Sequence, residues 1–261
     1  MVAGCDDGIF EPIDYAKLNL DKDDYLPDAL LDCGVGSVSW SEVFGYDVEQ
    51  IKGEGPKDWR DFWDTKKFPG KRGMKKSPLA NLEFALMADG VAPADVYSIL
   101  RTPEGKDRAF KKLDEIKPHV VWWERNTQAT QLLADKEVVM TAGSSGRFAT
   151  AITDEKRNFK IVWDGQIMDY EYWSIPKDHP QTDLAYSFIA FASRPERIAD
   201  QTNYIPYGPL RKSAAPLVKP EVAEYLPTSP ANMKAALKTD TQFWADNSAD
   251  LNQRFQAWVA Q

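Results

Sequence analysis

The chain has 261 residues, of which 43% are hydrophobic, and its 32 basic and 40 acidic residues give a formal net charge of −8. This length predicts one or two globular domains with ample material for a core. The basic residues form no stripe, which argues against a nucleic-acid-binding protein. No apolar run approaches the roughly 18 residues that a membrane-spanning helix needs.

The N-terminal segment lacks the features of an export signal. Met1 is followed by Val-Ala-Gly-Cys5, without a basic region or an apolar region, so no signal peptide is predicted within this sequence. Neither Cys5 nor Cys33 has a second Cys or a His at the spacing of a zinc site. On the residues alone, two buried thiols and a disulfide are about equally compatible.

The segment from Gly34 to Tyr46 alternates small side chains with larger ones, which predicts a strand. Gly34 and Gly36 do not form a GxGxxG motif, and no helix opens behind them, so a dinucleotide site is not indicated.

Aromatic spacing and capping residues predict the elements that follow. Trp59–Trp63 is predicted as a short helix whose rings belong to the core. Ser77-Pro78 is typical of a helix N-terminus, and Gly90 of its end. The other elements predicted here are helices from Thr102-Pro103 to Pro118 and from Thr127 to Ala134, and strands at Val120–Trp123 and after Val138, Phe159 and Met168.

The segment from Asp169 to Trp173 carries the chemistry of most interest. If it is extended, Asp169, Glu171 and Trp173 share one face of the strand, and Tyr170 and Tyr172 share the other. Two carboxylates beside aromatic rings suit an organic cation, through charge-assisted hydrogen bonds and cation–π contact. A polar edge strand at the surface is an equally weighted alternative.

A second candidate site is the segment Gly143-Ser-Ser-Gly-Arg147. Its backbone N–H groups and the guanidinium group of Arg147 are suited to a carboxylate. The alternative is a surface turn with a structural arginine.

The C-terminal part of the chain is predicted to be mainly helical. A helix from Asp183 to Ser193 is interpreted as core, with Leu184, Phe188 and Phe191 forming its buried stripe. Tyr207 lies in a proline-rich loop, and Ser229-Pro230 is interpreted as the start of a helical region. The aromatic residues of that region are interpreted as packing residues: Phe243, Trp244, Phe255 and Trp258.

No motif indicates an enzyme or a metal protein. His119 and His179 lie in predicted loops, and no Ser or Cys stands in a nucleophile context near them. Asp169 and Glu171 resemble a glycosidase pair only superficially, because such carboxylates normally come from separate elements. Tyr170 and Tyr172 suggest a ferric-ion site, which we rank low, and no cofactor is expected.

Several segments, taken in order, resemble the extracellular solute-binding proteins of ABC importers, specifically the spermidine/putrescine type. They cover nearly the whole chain: CGVGSVSWSEVFGYD, WRDFWDTKKFPGKRG, LEFALMADGV, VVMTAGSSGRFATAI, FKIVWDGQIMDYEYWSIPK, NYIPYGP and FWADNSADLNQRFQAWVA. The resemblance implies an α/β fold with two lobes of the type II periplasmic-binding-protein class. The first lobe is expected at residues 1–46 and 168–225, and the second at 47–167 and 226–261.

The resemblance also implies a function and an environment. The chain is expected to be a periplasmic, monomeric solute-binding component that captures a small amine-bearing, polyamine-like solute between two lobes for a membrane permease. In an exported protein the disulfide between Cys5 and Cys33 becomes the better expectation. Sequence like that around Cys5 follows several strand–helix units in this family, so we also expect an N-terminally truncated chain with an incomplete first lobe.

Further ligand-binding residues follow from the resemblance: Ser39, Trp40, Ser77, Ser144, Ser145, Arg147 and Tyr207. The sequence departs from the polyamine binders at Ser77 and Ala80, where they carry acidic residues, and Lys75 and Lys76 precede these positions. The lysines and Arg147 favour a ligand with negative charge, whereas Asp169 and Glu171 favour an amine. A zwitterionic amino compound or another carboxylate-bearing solute is therefore the alternative to a polyamine.

Overall fold

The computed structural model describes residues 1–261, which form two compact units. The first unit consists of Met1–Trp40 and Asp169–Pro230, and the second of Ser41–Met168 and Ala231–Gln261. The lobe boundaries predicted from the sequence fall after residues 46, 167 and 225, near the bounds of these units.

The helices are α1 (Val2–Asp6), α2 (Trp59–Trp63), α3 (Asn81–Ala88), α4 (Val96–Leu100), α5 (Pro103–Ile116), α6 (Asn126–Ala134), α7 (Ser145–Thr153), α8 (Thr182–Ala192), α9 (Pro195–Gln201), α10 (Pro220–Ala223) and α11 (Thr241–Val259). The strands are β1 (Leu30–Leu31), β2 (Gly34–Asp47), β3 (Arg72–Lys75), β4 (Val120–Trp123), β5 (Met140–Ser144), β6 (Phe159–Trp173), β7 (Gly208–Pro209) and β8 (Leu237–Lys238). Single 3-10 turns lie at Tyr15–Lys17, Lys22–Asp24, Pro93–Asp95, Lys117–His119, Lys212–Leu217 and Asn232–Ala235. None of these helices combines the length and the apolar character that crossing a bilayer requires.

A mixed sheet with strand order β4-β3-β5-β2-β6-β8 forms the centre of the second unit. Strand β3 is parallel to β4 and to β5, whereas β2 is antiparallel to β5. Helices α3, α6 and α7 follow β3, β4 and β5 in the chain, as expected where parallel strands alternate with helices.

Aromatic side chains fill the core on one face of this sheet. Trp59 stacks on Phe84 with ring centroids 3.5 Å apart, and Phe44 and Phe62 pack against the same indole. The carboxylate of Asp58 accepts hydrogen bonds from the first backbone N–H groups of α2 and so caps it. The predicted helix at Trp59–Trp63 and its place in the core are therefore confirmed.

In the first unit, β1 and β7 pair antiparallel with the beginning of β2. A disulfide joins Cys5 of α1 to Cys33, directly before β2, which confirms the pairing expected for an exported protein. The bond closes a loop that includes the segment leading into β1.

Helix α3 does not begin where the sequence predicts. Ser77-Pro78 forms a turn in which the Ser77 Oγ accepts from the backbone N–H of Leu79 at 3.2 Å. The helix starts at Asn81, after Ala80, which has a φ of 72°. The prediction was wrong because Ser followed by Pro is equally typical of a tight turn.

The two strands predicted after Phe159 and Met168 are one continuous strand, β6. Gly165 has a φ of 69°, and its carbonyl accepts a hydrogen bond from the Trp59 indole at 2.9 Å. A glycine tolerates this conformation without ending the pairing, so the Asp-Gly pair does not terminate the strand.

The stripe predicted as core in α8 is exposed. Leu184 is 63% exposed and Phe188 is 51% exposed, whereas Tyr186 and Ile189 are the buried residues of this helix. Apolar residues occupy most positions of α8, so their spacing does not determine which face is buried.

The C-terminal helix begins later than predicted. Ser229-Pro230 lies in turns, and α11 starts at Thr241, capped by the carboxylate of Asp240, which accepts from the backbone N–H of Phe243 at 2.8 Å. The packing role of its aromatic residues is confirmed, because Phe243, Trp244 and Phe255 are buried and Trp258 packs against them.

Candidate functional site

The carboxyl ends of three parallel strands of the second unit meet at one edge of its sheet. These ends are Lys75 of β3, Trp123 of β4 and Ser144 of β5. Ligands of open α/β sheets bind at such edges, because the helices that follow the strands present their N-termini there.

Helix α7 begins at this edge, directly after Ser144. The segment predicted as a Gly/Ser turn is in fact the junction of β5 and α7, with Ser144 as the N-cap. Ser144 and Ser145 are buried, and the Oγ of Ser145 accepts from the backbone N–H of Ser41 at 3.3 Å. The side chain of Ser144 caps no backbone N–H group of the first turn of α7.

Arg147 lies in this first turn and is exposed. No carboxylate of the chain lies within ion-pair distance of its guanidinium group. A guanidinium fork beside the positive end of a helix dipole favours a planar anion such as a carboxylate.

The other residues predicted here have partners within the fold. Ser77 has its Oγ engaged in the turn before α3, and its carbonyl accepts from the Asn81 amide at 2.8 Å. Lys76 forms an ion pair of 3.9 Å with Glu124. Lys75 lies over the Trp123 ring, with its Nζ 5.9 Å from the ring centroid. Of the cations that the sequence places at this edge, Arg147 is thus the one whose side chain has neither an ion pair nor a ring contact within the fold.

Glu42 belongs to this edge, although the sequence analysis missed it. It is 5% exposed and is the cross-strand partner of Ser144. Burial raises the pKa of Glu42 to about 7, while the positive charge of Lys75 acts in the opposite direction. Its position on the same strand face as Val38 and Phe44 was the available signal, because a charged residue on an apolar face is unusual.

The acidic pair of the first unit lies at the end of β6, as predicted. Asp169 and Glu171 belong to the same strand face by their spacing. Partial burial raises the pKa of Glu171, and the negative charge of Asp169 raises it further. A cation between two such carboxylates would relieve this repulsion.

The aromatic neighbours of this pair are largely packed within the first unit. The Tyr172 hydroxyl donates to the Asp28 carbonyl at 2.9 Å, and its ring lies 6.4 Å from that of Tyr170. The Trp173 ring meets Phe188 edge-on at 5.1 Å, and its buried Nε1 has no hydrogen-bond partner. The ligand-binding roles predicted for Tyr170 and Trp173 stay predictions.

Three further predicted residues lie near Asp169 in the first unit. Ser39 is buried, and its Oγ donates to the Asp169 carbonyl at 3.1 Å. Trp40 follows it and is half-buried, while Tyr207 directly precedes Gly208, the cross-strand partner of Ser39. The structure therefore brings together the residues that the sequence predicts on β2, on β6 and in the loop before β7.

A cavity of about 1070 Å³ lies elsewhere in the first unit. It is lined mainly by residues between Cys5 and Cys33, with Lys177 and Lys212, and none of the predicted ligand-binding residues lines it. The chain contains no group of three or more His, Cys, Asp or Glu side chains arranged to hold a metal ion.

Comparisons with known proteins agree with these features. The family model described as "Bacterial extracellular solute-binding protein" matches residues 1–228. The chain is 44% identical over 260 residues to a gamma-aminobutyric acid-binding protein of Pseudomonas aeruginosa, covering 100% of this chain and 73% of that protein. It is 25% identical over 263 residues to the putrescine-binding periplasmic protein PotF of Escherichia coli, covering 89% and 68% of the two chains.

Among solved structures, the Atu4243-GABA receptor is similar, with a TM-score of 0.85 and 32% identity, covering 99% of this chain and 78% of that one. The fold is that of the two-lobed periplasmic binding proteins. The chain belongs to the family of bacterial extracellular solute-binding proteins, which are the solute-binding components of ABC transporters.

Proposed function

We propose that this chain binds a small ω-amino acid of the γ-aminobutyrate type, carrying one ammonium and one carboxylate group, for import by an ABC permease from the periplasm. The observation that carries the proposal is Arg147. It is an exposed guanidinium in the first turn of α7, without a carboxylate partner in the chain. A solute that carried only amines would place like charges beside it.

The carboxylate of the solute is assigned to the start of α7. The N–H groups of the first helical turn, which Ser144 does not cap, and the Arg147 fork both favour an anion. The hydroxyl groups of Ser144 and Ser145 lie at the same junction and supply further donors.

The ammonium group is assigned to Asp169 and Glu171. Partial burial raises the pKa of Glu171, and the charge of Asp169 raises it further, as expected for two carboxylates that share one site. A bound ammonium group would form charge-assisted hydrogen bonds with them and lower that pKa again.

The relatives support this class of solute. Two similar proteins, at 44% and 32% identity, are named for binding γ-aminobutyrate, whereas the putrescine-binding relative is 25% identical. A polyamine remains the second candidate because Asp169 and Glu171 suit any alkylammonium. A bound polyamine, however, would offer no negative charge to Lys75 and Arg147.

Isothermal titration of the 261-residue chain with 4-aminobutyrate and with putrescine tests the proposal. Arg147→Ala should weaken 4-aminobutyrate binding by about 1.5–3 kcal/mol, the range of a hydrogen bond to a charged group. Arg147→Lys should restore part of the loss, because it keeps the charge but not the fork. Arg157→Ala serves as the control, since Arg157 follows the far end of α7 and pairs with Glu155 at 3.4 Å.

Equal 4-aminobutyrate affinity in wild type and Arg147→Ala would contradict the assignment. Tight putrescine binding that Arg147→Ala leaves unchanged, with no binding of 4-aminobutyrate, would favour the polyamine instead.

A further inference from the structure

Lys75 is a half-buried cation at the carboxyl end of β3, and no counter-charge of the chain contacts it. Its ammonium group forms neither an ion pair nor a hydrogen bond within the fold, and its Nζ lies 5.9 Å from the centroid of the Trp123 ring. An aromatic ring attracts an ammonium group but does not neutralise it. The full positive charge of Lys75 therefore remains at this edge of the sheet.

The charged residues near Lys75 do not compensate it. Lys76, the next residue, is the one that pairs with Glu124, at 3.9 Å. Glu42 lies on β2, with β5 between it and β3, and its register with Ser144 places it on the other face of the sheet. Lys75 is thus available to an anion from outside the chain.

The pairing register places Lys75 on the face of the sheet that α7 covers. Gly73 and Lys75 share one face of β3, and Gly73 is the cross-strand partner of Thr141. Gly143 continues that face along β5, and a Cβ atom there would lie 3.4 Å from the Phe148 ring of α7. Lys75 therefore approaches the proposed carboxylate site from the same side of the sheet as α7.

The backbone at the end of β3 is held in place around Lys75. The buried Asn81 side chain donates from its Nδ2 to the Lys75 carbonyl at 2.6 Å. The backbone N–H of Lys76 donates to the Trp123 carbonyl at 2.7 Å. These bonds and the contact with the Trp123 ring restrict the lysine before any solute binds, which reduces the entropy lost on binding.

We propose that Lys75 is a specificity-determining residue that binds the carboxylate of the solute together with Arg147. The inference rests on the proposed function and deepens it, because it adds a second cation from a different strand. A carboxylate has two oxygen atoms, so it can accept from a guanidinium fork and from an ammonium group at once. The selected solutes end in a carboxylate, and the rejected ones carry a neutral amide or a second amine at that end.

Titration calorimetry of the 261-residue chain with 4-aminobutyrate and with 4-aminobutanamide measures the ratio of their dissociation constants. The two solutes share the ammonium group and the carbon chain, so effects on the fold or on the ammonium site cancel in the ratio. In Lys75→Gln the preference for 4-aminobutyrate should fall by about tenfold, the effect of losing a hydrogen bond between charged groups. Lys75→Arg keeps the charge and should retain most of the preference.

Lys71→Gln is the matched control. Lys71 is exposed and directly precedes β3, at the end of the strand opposite to Lys75. The substitution removes the same charge from the chain, and its ratio should equal that of wild type. If the amide binds too weakly to measure, the loss of 4-aminobutyrate affinity in Lys75→Gln and its recovery in Lys75→Arg decide the matter.

Wild type that binds 4-aminobutyrate, with equal values in Lys75→Gln and Lys71→Gln, would overturn the inference alone. Wild type that does not bind 4-aminobutyrate would overturn the proposed function together with the inference.

Discussion

The Oγ atom of Ser39 donates a hydrogen bond to the backbone carbonyl of Asp169 across 3.1 Å. This bond joins β2 to β6 inside the first unit, at the residue where the acidic pair begins. Ser39 is fully buried, so its hydroxyl group restrains the backbone at Asp169, where the acidic pair begins.

Ser39→Ala should lower the free energy of unfolding by about 1 kcal/mol, the net value of a buried hydrogen bond. It should also weaken amine binding several-fold, because the Asp169 backbone loses one restraint. Urea unfolding and calorimetry measure the two effects. Ser187→Ala, which removes an exposed bond to the Asp183 carbonyl, should change neither.

Glu171→Gln should weaken binding of any amine ligand by at least about 1.5 kcal/mol, since a charge-assisted hydrogen bond becomes a neutral one. In wild type, affinity should fall as the pH drops through the raised pKa of Glu171, because protonation removes the charge that holds the ammonium group. The variant should lose most of that pH dependence. Glu196→Gln, at an exposed position of α9, is the control, and an equal loss in both variants would refute a direct contact.

Glu83 should make stability depend on pH. Its Oε1 accepts hydrogen bonds from the Tyr97 hydroxyl at 2.9 Å and from the Trp244 indole at 2.8 Å, and burial raises its pKa from 4.5 to about 7. The folded state then keeps a proton that the unfolded chain releases. Stability should therefore decrease as the pH rises from about 4.5 to about 7, by on the order of 3 kcal/mol.

Glu83→Gln keeps an oxygen acceptor for both donors and removes this proton. Its free energy of unfolding should decrease less over the same pH range, with a remaining decrease from Glu42, whose pKa is raised likewise. Urea titrations at several pH values measure the slopes. Glu221→Gln, at an exposed position, should retain the full slope of wild type, and a full slope in Glu83→Gln would exclude Glu83 as its source.

The disulfide between Cys5 and Cys33 spans a sequence separation of 28 residues. Replacing both cysteines by serine should lower the free energy of unfolding by about 3–4 kcal/mol, because the unfolded chain regains the entropy of an open loop. Reductant should destabilise wild type by a similar amount and leave the double variant unchanged. A variant as stable as wild type would mean that the bond adds nothing to folding.

Substitutions of Phe255 and Phe188 compare a buried aromatic side chain with a half-exposed one. Phe255→Ala should cost about 3–5 kcal/mol, as for large core truncations, because its ring is fully buried in the second unit. Phe188→Ala should cost about 1 kcal/mol or less, since half of its surface already contacts water. Urea unfolding of both variants measures the difference, and equal losses would contradict the orientation of α8.

The correct predictions from the sequence rest on strong local patterns. The alternation of Asp169, Glu171 and Trp173 with Tyr170 and Tyr172 predicts a strand, and these residues lie in β6. Period-two spacing succeeds here because each strand position faces one defined side.

The remaining parts depend on tertiary structure. The start of α3 is set by Ala80 in a left-handed conformation, which no alanine signals locally. The buried face of α8 is chosen by its neighbours, because apolar residues surround most of the helix. The sequence analysis missed Glu42 because strand periodicity gives the face of its side chain but not the charge of Lys75, which lies on β3 beyond β5.

Helix α11 has a consequence for the order in which the protein can be made. Phe243, Trp244 and Phe255 fill the core of a unit that begins at Ser41. During synthesis these rings leave the ribosome after nearly all of their packing partners. The core of the second unit therefore cannot be complete before α11 has emerged. Until then, the apolar side chains that α11 covers stay partly exposed to solvent.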